Sequence, residues 1–237
     1  MDDQMSGSSG WQRFTHALWH NRVWLIIYVA IIVGLILGLP GIGVVPAFCL
    51  SLIVAIIAKR QGSFRDLGLH RPESWRSTLV AGLLWGTATG FLFLLIVDPA
   101  LEQLTGEVIN LEQLDIRGKF VPFLIWLAIG WIVGGFIEEF TFRATIISRL
   151  TAVLGNNAFG IVTALIVSSV PFGLAHGYQG LAGQLSTGLT GLIFGILYVQ
   201  YKRNLWVPIL AHGFNNTVGI TLIYFDLDTQ VKAFWFG

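Results

Sequence analysis

The chain has 237 residues, of which 54% are hydrophobic and only 11% are charged, and its formal net charge is +1. Soluble domains carry roughly 25% charged residues, so this composition excludes an ordinary water-exposed surface. The mean hydropathy of +0.73 and the long apolar runs indicate a polytopic membrane protein in a lipid bilayer. The near-neutral charge also argues against a nucleic-acid partner, since such proteins carry concentrated basic patches.

Residues 1–22 form a polar, interfacial N-terminal tail, of which the first ten are expected to be disordered. The apolar run after Arg22 is longer than a signal-peptide core and lacks a small-residue cleavage site, so it predicts a membrane span. A spanning helix needs about 20 apolar residues, with about 17 as the lower limit. Seven segments are candidate spans: Val23–Leu39, Val44–Ala58, Thr78–Val97, Phe120–Ile137, Ala158–Leu174, Leu181–Tyr201 and Leu205–Tyr224.

These segments predict an all-α membrane bundle of about seven transmembrane helices, with six to eight as the range. They form a single domain over residues 23–225, followed by a short C-terminal tail at 226–237. Between the third and fourth spans, Pro99–Asp115 carries Leu and Val at helical spacing, which predicts an amphipathic helix on the outer surface.

The distribution of Lys and Arg predicts the orientation. On the predicted topology, ten of these residues lie on the side of the N-terminus and three on the opposite side. Because cytoplasmic loops carry the excess of positive charge, we expect the N-terminus inside and the C-terminus outside.

Charged residues at membrane depth are expensive and usually functional. Glu138 and Glu139 directly follow the apolar run GWIVGGFI, and Arg143 comes one turn later. A helix end at the interface, with Glu139 paired to Arg143 at i,i+4, would be the structural explanation. The residues between the charges stay apolar, which favours a functional site. Glu138 lies about 100° further round the helix, so it is the free carboxylate and the candidate general base.

Two later helices each carry a histidine. His176 closes an apolar helix with Phe172 one turn before it, and His212 has Asn216 one turn after it. A single histidine near a helix end is more often structural than catalytic. Three helices that each bring an acid or a histidine nevertheless predict one common site. The glycine-rich turn after His176 would have to be recessed to bring the two histidines to the same depth.

An acid, two imidazoles and an amide in a partly dry pocket suit the activation of water. Glu138 would take a proton from water, and His212 with Asn216 would stabilise an oxyanion on the scissile carbonyl. Alternatively, Glu138, His176 and His212 would bind Zn²⁺ with one position open for water. The compact HExxH signature is absent from the sequence, and the residues alone do not separate the two mechanisms.

Three patterns now stand in order on separate apolar helices. EEFTFR at 138–143 fits EExxxR, Phe172–His176 fits FxxxH, and His212–Asn216 fits HxxxN. Together they resemble the CPBP family of intramembrane endopeptidases (CAAX protease and bacteriocin-processing, also called Abi), which includes the type II CAAX prenyl endopeptidases. The resemblance covers roughly Phe64–Thr217.

The resemblance implies an intramembrane metalloendopeptidase, a hydrolase with a divalent metal such as Zn²⁺ as candidate cofactor. It implies that Glu138 activates water with support from Glu139 and Arg143, and that His176 is the partner of that water. It further implies a membrane-associated peptide or a lipidated protein as substrate, a prokaryotic cytoplasmic membrane as location, and a site that opens toward the cytoplasm.

For the last motif, the resemblance implies that His212 and Asn216 are oxyanion or metal-site groups. Two other functions stay open. One is a non-catalytic bacteriocin-immunity or scaffold protein that keeps the pocket for binding. The other is an ion-coupled transporter with Glu138 and the histidines as a relay, which the scarcity of charge on the other helices disfavours.

Overall fold

The computed structural model describes residues 9–236, and within that range the chain is a helical bundle without a β-strand. Its main helices are α1 (Gly10–His20), α2 (Arg22–Gly38), α3 (Val44–Ile57), α4 (Trp75–Thr105), α5 (Phe120–Leu154), α6 (Ala158–Leu174), α7 (Gly180–Gln200), α8 (Trp206–Tyr224) and α9 (Leu227–Phe236). The predicted fold class is confirmed, and each of the seven predicted segments lies in a helix to within one residue at its ends. Most of the stretch expected to be disordered, residues 1–8, lies outside the described residues.

Helix length and composition show which elements could cross a bilayer. In the described part of the chain, α4, α5 and α7 are long and apolar enough. The pair α1 and α2 passes the same criterion together, with a bend of 64° between them, and would be a fourth span. Helices α3 and α6 are apolar but shorter. The count of seven crossings therefore stays a prediction.

The described part of each predicted terminal tail contains a helix, α1 at the N-terminal side and α9 at the C-terminal side. Ser9 caps α1 in a reciprocal capping box with Gln12, which satisfies backbone donors at the helix start. Trp19 in α1 is 1% exposed, so this amphipathic helix packs on the bundle. At the other end of the chain, α9 buries Asp228 and places Lys232 within 2.8 Å of Glu102.

Only the first part of the amphipathic helix predicted for Pro99–Asp115 is present, as the end of α4. Helix α4 continues through Pro99 and ends at Thr105, where Gly106 takes a left-handed φ of 71°. The proline follows a π-helical stretch, Phe93–Val97, whose wider turn accommodates its ring and its missing N–H. Residues 106–111 then run non-helically beside the turn between α6 and α7, where the Asn110 N–H donates to the Gln179 carbonyl over 3.1 Å.

Small residues let α4 and α8 approach closely, as the spacing of glycines in α4 predicts. Gly82 and Gly86 face α8, and a Cβ atom added to Gly86 would come within 2.7 Å of the Phe214 Cβ. This contact matters for function because α8 carries His212 and Asn216. Close helix packing therefore holds that part of the site.

Helix α5 is much longer than the predicted span Phe120–Ile137, because the buried, largely apolar segment after the two glutamates continues the helix to Leu154. It contains two π-helical stretches, Gly130–Glu138 and Phe140–Ile147, of a type found often at functional sites. Glu138 and Glu139 are thus in the middle of a 35-residue helix. An ordinary helix end at the interface no longer explains them.

Candidate active site

Glu139 joins two helices in the dry centre of the bundle. Its side chain is fully buried, and its two oxygens lie 2.8 Å from His212 Nδ1 on α8 and 3.1 Å from Arg143 Nε on α5. The pairing of Glu139 with Arg143 that the spacing predicts is present. The contact with His212, 73 residues further along the chain, is not predictable from helical spacing.

Arg143 is enclosed on all sides. Its guanidinium donates to the Gly191 carbonyl on α7 over 3.0 Å and lies 4.6 Å from the centroid of the Phe172 ring on α6. Its Nε approaches Glu139 as an ion pair without hydrogen-bond alignment. A fully buried charge is tolerated only with a counter-charge, so Arg143 and Glu139 depend on each other.

Glu138 has a different environment from its neighbour. Its side chain is 14% exposed, and one carboxylate oxygen lies 3.9 Å from His212 Nε2. Glu138 also lines a cavity of about 680 Å³ together with His176, His212 and Asn216. The structure therefore gives the two adjacent glutamates separate positions: Glu139 in the dry interior and Glu138 on the cavity wall.

His176 has one ring nitrogen engaged and one available. Its Nδ1 lies 2.8 Å from the Phe172 carbonyl oxygen. Because a carbonyl oxygen can only accept, Nδ1 carries the hydrogen in this contact, and in the neutral ring Nε2 then has the lone pair. The His176 and His212 rings lie 5.1 Å and 6.1 Å from the Phe172 ring, so both contact the same side chain.

Asn216 lies beside His212 as the sequence predicts, and a glycine that sequence reasoning missed makes room for both. Asn216 Nδ2 donates to the Gly130 carbonyl over 2.9 Å, which uses one of its two amide hydrogens. A Cβ atom at Gly134 would overlap with Asn216 Nδ2 and lie 3.2 Å from His212 Nε2. Gly134 comes one turn before Glu138. In the sequence, only the adjacent pair Gly134 and Gly135 could have drawn attention to this position.

The donor set fits a metal ion only in part. His176 and His212 each engage Nδ1 with an oxygen atom, the second-shell pattern that orients metal-binding imidazoles. Across residues 9–236, however, no three His, Cys, Asp or Glu side chains are grouped closely enough to hold a metal. Metal binding by Glu138, His176 and His212 stays a prediction.

The cavity opens at one end of the bundle. Three connections between helices contribute to its lining, and all lie at the same end of the bundle. They are the α2–α3 turn at 40–43, the α4–α5 connection with Gln113 and Leu114, and the α6–α7 turn with Tyr178 and Gln179. A smaller cavity of about 240 Å³ adjoins the same histidines and is lined by Asp98, Glu102 and Lys232 from that end as well. Part of the wall is apolar, with Trp126, Ile129 and Val133 of α5 among its residues.

Comparison with known proteins supports the motif assignment. Residues 120–218, which include all three motifs, match the family described as type II CAAX prenyl endopeptidase Rce1-like. The membrane-embedded CAAX protease MroQ of Staphylococcus aureus (strain USA300) is 31% identical over 170 residues, 67% of this chain and 62% of that protein. The putative membrane peptidase YdiL of Bacillus subtilis (strain 168) is 38% identical over 97 residues, 41% of this chain and 36% of that protein.

No solved structure matches the chain significantly. The chain spans less than two thirds of the length of both bacterial relatives. The apolar helices and the two membrane relatives agree on an integral membrane protein. The predicted family resemblance is confirmed: residues 120–218 carry the Rce1-like CAAX protease signature.

Proposed function

We propose that this chain is a membrane-embedded endopeptidase that hydrolyses a peptide bond of a membrane-associated peptide. The observation that carries the proposal is the separation of the paired glutamates. Glu139 is committed to Arg143 and His212, whereas Glu138 faces a cavity that also contains His176 and Asn216. The match to a protease family supports the same chemistry.

In the proposed reaction, Glu138 removes a proton from a water molecule whose oxygen attacks the scissile carbonyl carbon. His176 accepts a hydrogen bond from that water at Nε2, because its Nδ1 hydrogen is held by the Phe172 carbonyl. The protonated Glu138 then donates the proton to the leaving amine as the C–N bond breaks. Atoms and charge balance without a further reactant.

The oxyanion that forms on the carbonyl needs donors at the same site. Asn216 has a second amide hydrogen besides the one that it donates to Gly130. His212 in its doubly protonated form donates from Nδ1 to Glu139 and from Nε2 toward the cavity. Glu139 and Arg143 do not react in this scheme: they hold His212 in position.

The apolar part of the cavity wall suits a hydrophobic or lipidated substrate segment. Two substrate classes follow from the family: a prenylated CAAX-type protein and an unprenylated leader-type peptide. A matched pair of peptides that differ only in the prenyl group separates these classes. Faster cleavage of the prenylated peptide would support the first, and equal cleavage the second.

The decisive variant is Glu138→Gln, which keeps the shape of the side chain and removes the base. We expect cleavage to fall by about 10²–10⁴-fold, the usual contribution of a general base, while the thermal unfolding midpoint in detergent stays unchanged. Glu73→Gln is the matched control: Glu73 is an exposed acid that does not line the cavity, so this variant should cleave at the wild-type rate. Full activity of Glu138→Gln would reject the assignment.

The same variant tests the alternatives. If wild-type protein cleaves nothing and Glu138→Gln functions equally well in cells, the chain is a non-catalytic immunity or scaffold protein. Substrate flux in liposomes that depends on Glu138 would indicate a transporter instead. Metal participation is tested by chelation: activity lost to a chelator and restored by Zn²⁺ would support a metal-assisted reaction, and full activity in the chelator would reject it.

A further inference from the structure

The two ends of the bundle are defined by contacts between loops. At one end, the Trp19 indole donates to Asp66 over 2.8 Å and the Leu205 N–H donates to the Gly68 carbonyl over 3.1 Å. We call this the basic end; it consists of residues 10–22, 58–76, 148–157 and 201–205. The cavity end consists of residues 39–43, 98–119, 175–180 and 225–236.

The basic residues are divided unequally between these ends. Ten of the fourteen Lys and Arg residues lie at the basic end: Arg13, Arg22, Lys59, Arg60, Arg65, Arg71, Arg76, Arg149, Lys202 and Arg203. Three lie at the cavity end: Arg117, Lys119 and Lys232. The remaining one, Arg143, is buried between them.

The acidic residues of the described chain have the opposite distribution. Seven lie at the cavity end: Asp98, Glu102, Glu107, Glu112, Asp115, Asp226 and Asp228. Two lie at the basic end, Asp66 and Glu73. The polarity of the molecule along its helix axes is therefore strong, even though its net charge is close to zero.

Positively charged short loops stay on the cytoplasmic side of a membrane, and the loops at the basic end are all short. The candidate site residues open into cavities whose loop residues come from the other end alone. A cytoplasmic N-terminus and a cavity open to the cytoplasm therefore cannot both be true of this fold.

We infer that the cavity opens to the extracytoplasmic side of the membrane, so that Glu138, His176 and His212 are reached from outside the cytoplasm. The charge distribution and the position of the cavity mouth support this orientation, whether or not the protein is a peptidase. The opening toward the cytoplasm, which only the family resemblance implied, is replaced by this orientation.

The orientation narrows the substrate class, on the basis of the proposed function. A substrate would present its scissile bond at the outer leaflet, as an exported peptide or as the outer segment of a membrane-anchored chain. The excess of acidic residues at the cavity end would attract a segment that carries Lys or Arg. A protein that is lipidated and retained in the cytoplasm would not reach the site.

Accessibility of single cysteines tests the orientation directly. The natural cysteine, Cys49, is first replaced as Cys49→Ala. Gln113→Cys then places a thiol at the cavity mouth, and Ala152→Cys places one at the basic end; both positions are exposed and uncharged. A membrane-impermeant maleimide is added to intact cells and, in parallel, to permeabilised cells.

We expect Gln113→Cys to be labelled in intact cells and Ala152→Cys only after permeabilisation. The reverse pattern would overturn the inference. Should the maleimide fail to react with either thiol, an alkaline phosphatase fused after residue 237 decides: activity supports the extracytoplasmic orientation, and its absence contradicts it. Neither readout needs peptidase activity, so failure of this inference and failure of the proposed function are distinguishable.

Discussion

Two ion pairs with similar geometry lie in opposite environments, one in the middle of the bundle and one at its basic end. Glu139 and Arg143 are 3.1 Å apart with side chains that are 0% exposed, whereas Glu73 and Lys202 are 2.8 Å apart and 86% and 80% exposed. At the surface, water replaces either partner. In the interior, water does not replace a lost partner, so each charge of the pair depends on the other.

The comparison bears on function because a buried ion pair is a poor way to stabilise a protein. Apolar residues of similar volume are often as stable or more stable. The pair therefore requires an explanation other than stability, and its contacts supply one: Glu139 accepts from His212, which faces the cavity. The interior pair contacts His212, the proposed oxyanion donor, whereas the surface pair contacts no residue of the candidate site.

The largest effect should follow from Arg143→Met, which leaves Glu139 as a buried charge without its counter-ion. We expect a loss of about 3–5 kcal/mol in the free energy of unfolding, measured by denaturant titration in detergent micelles. A variant as stable as wild type would show that the pair is not a buried counter-charge system.

The double variant Glu139→Leu/Arg143→Met separates stability from function. With both charges gone, most of the lost stability should return. The double variant should nevertheless not cleave substrate, because His212 Nδ1 no longer has its carboxylate acceptor. Recovery of both stability and cleavage would show that the interior pair does not position His212.

A smaller effect is expected from Gly134→Ala. The added Cβ atom overlaps with Asn216 and crowds His212, at a cost of about 1–3 kcal/mol for an overpacked site. Cleavage should fall further than stability, because the displaced groups are those proposed to bind the oxyanion.

The matched control is Gly34→Ala on α2. Gly34 is also a helical glycine, but a Cβ atom there would have nothing within 4 Å. Alanine in an open helical position should stabilise by about 0.5–1 kcal/mol and leave cleavage unchanged. Equal effects at Gly34 and Gly134 would show that close packing around Asn216 is unimportant.

The sequence predicted much of this site because helical spacing is local. The apolar runs located the seven helical segments, and a separation of four residues paired Glu139 with Arg143. The predicted apolar span ended at Ile137, whereas α5 continues to Leu154, next to the turn that Gly155–Asn157 predict. A separate helix was predicted to begin at Pro99, whereas α4 continues through this residue. The π-helical stretch before Pro99 is not predictable from local helix propensity.

The remaining features depend on contacts between distant parts of the chain. The Glu139–His212 hydrogen bond joins residues 73 positions apart, and nothing in either motif specifies it. Gly134 is one of many glycines in an apolar context, so only the position of Asn216 shows why it must be small. Residue types thus identified the candidate site, and tertiary packing assigned separate positions to Glu138 and Glu139.

The smallest effect should come from Glu73→Gln at the basic end. Its hydrogen bond with Lys202, and then the charge of that residue, lower the pKa of Glu73 below its ordinary value. A lowered folded-state pKa stabilises the protein above the unfolded pKa, and this stabilisation is lost as the pH falls through the folded value. Any contribution of the pair would therefore be seen at neutral pH and disappear in acid.

Because both side chains are exposed, we expect the unfolding midpoint of Glu73→Gln to match wild type at neutral pH, in low and in high salt. The loss caused by Arg143→Met should be equally insensitive to salt for the opposite reason, since ions do not reach a buried pair. A loss in Glu73→Gln that approached that of Arg143→Met would remove the distinction between the two environments. Positioning of His212 would then no longer be needed to explain why Glu139 and Arg143 are paired in the interior.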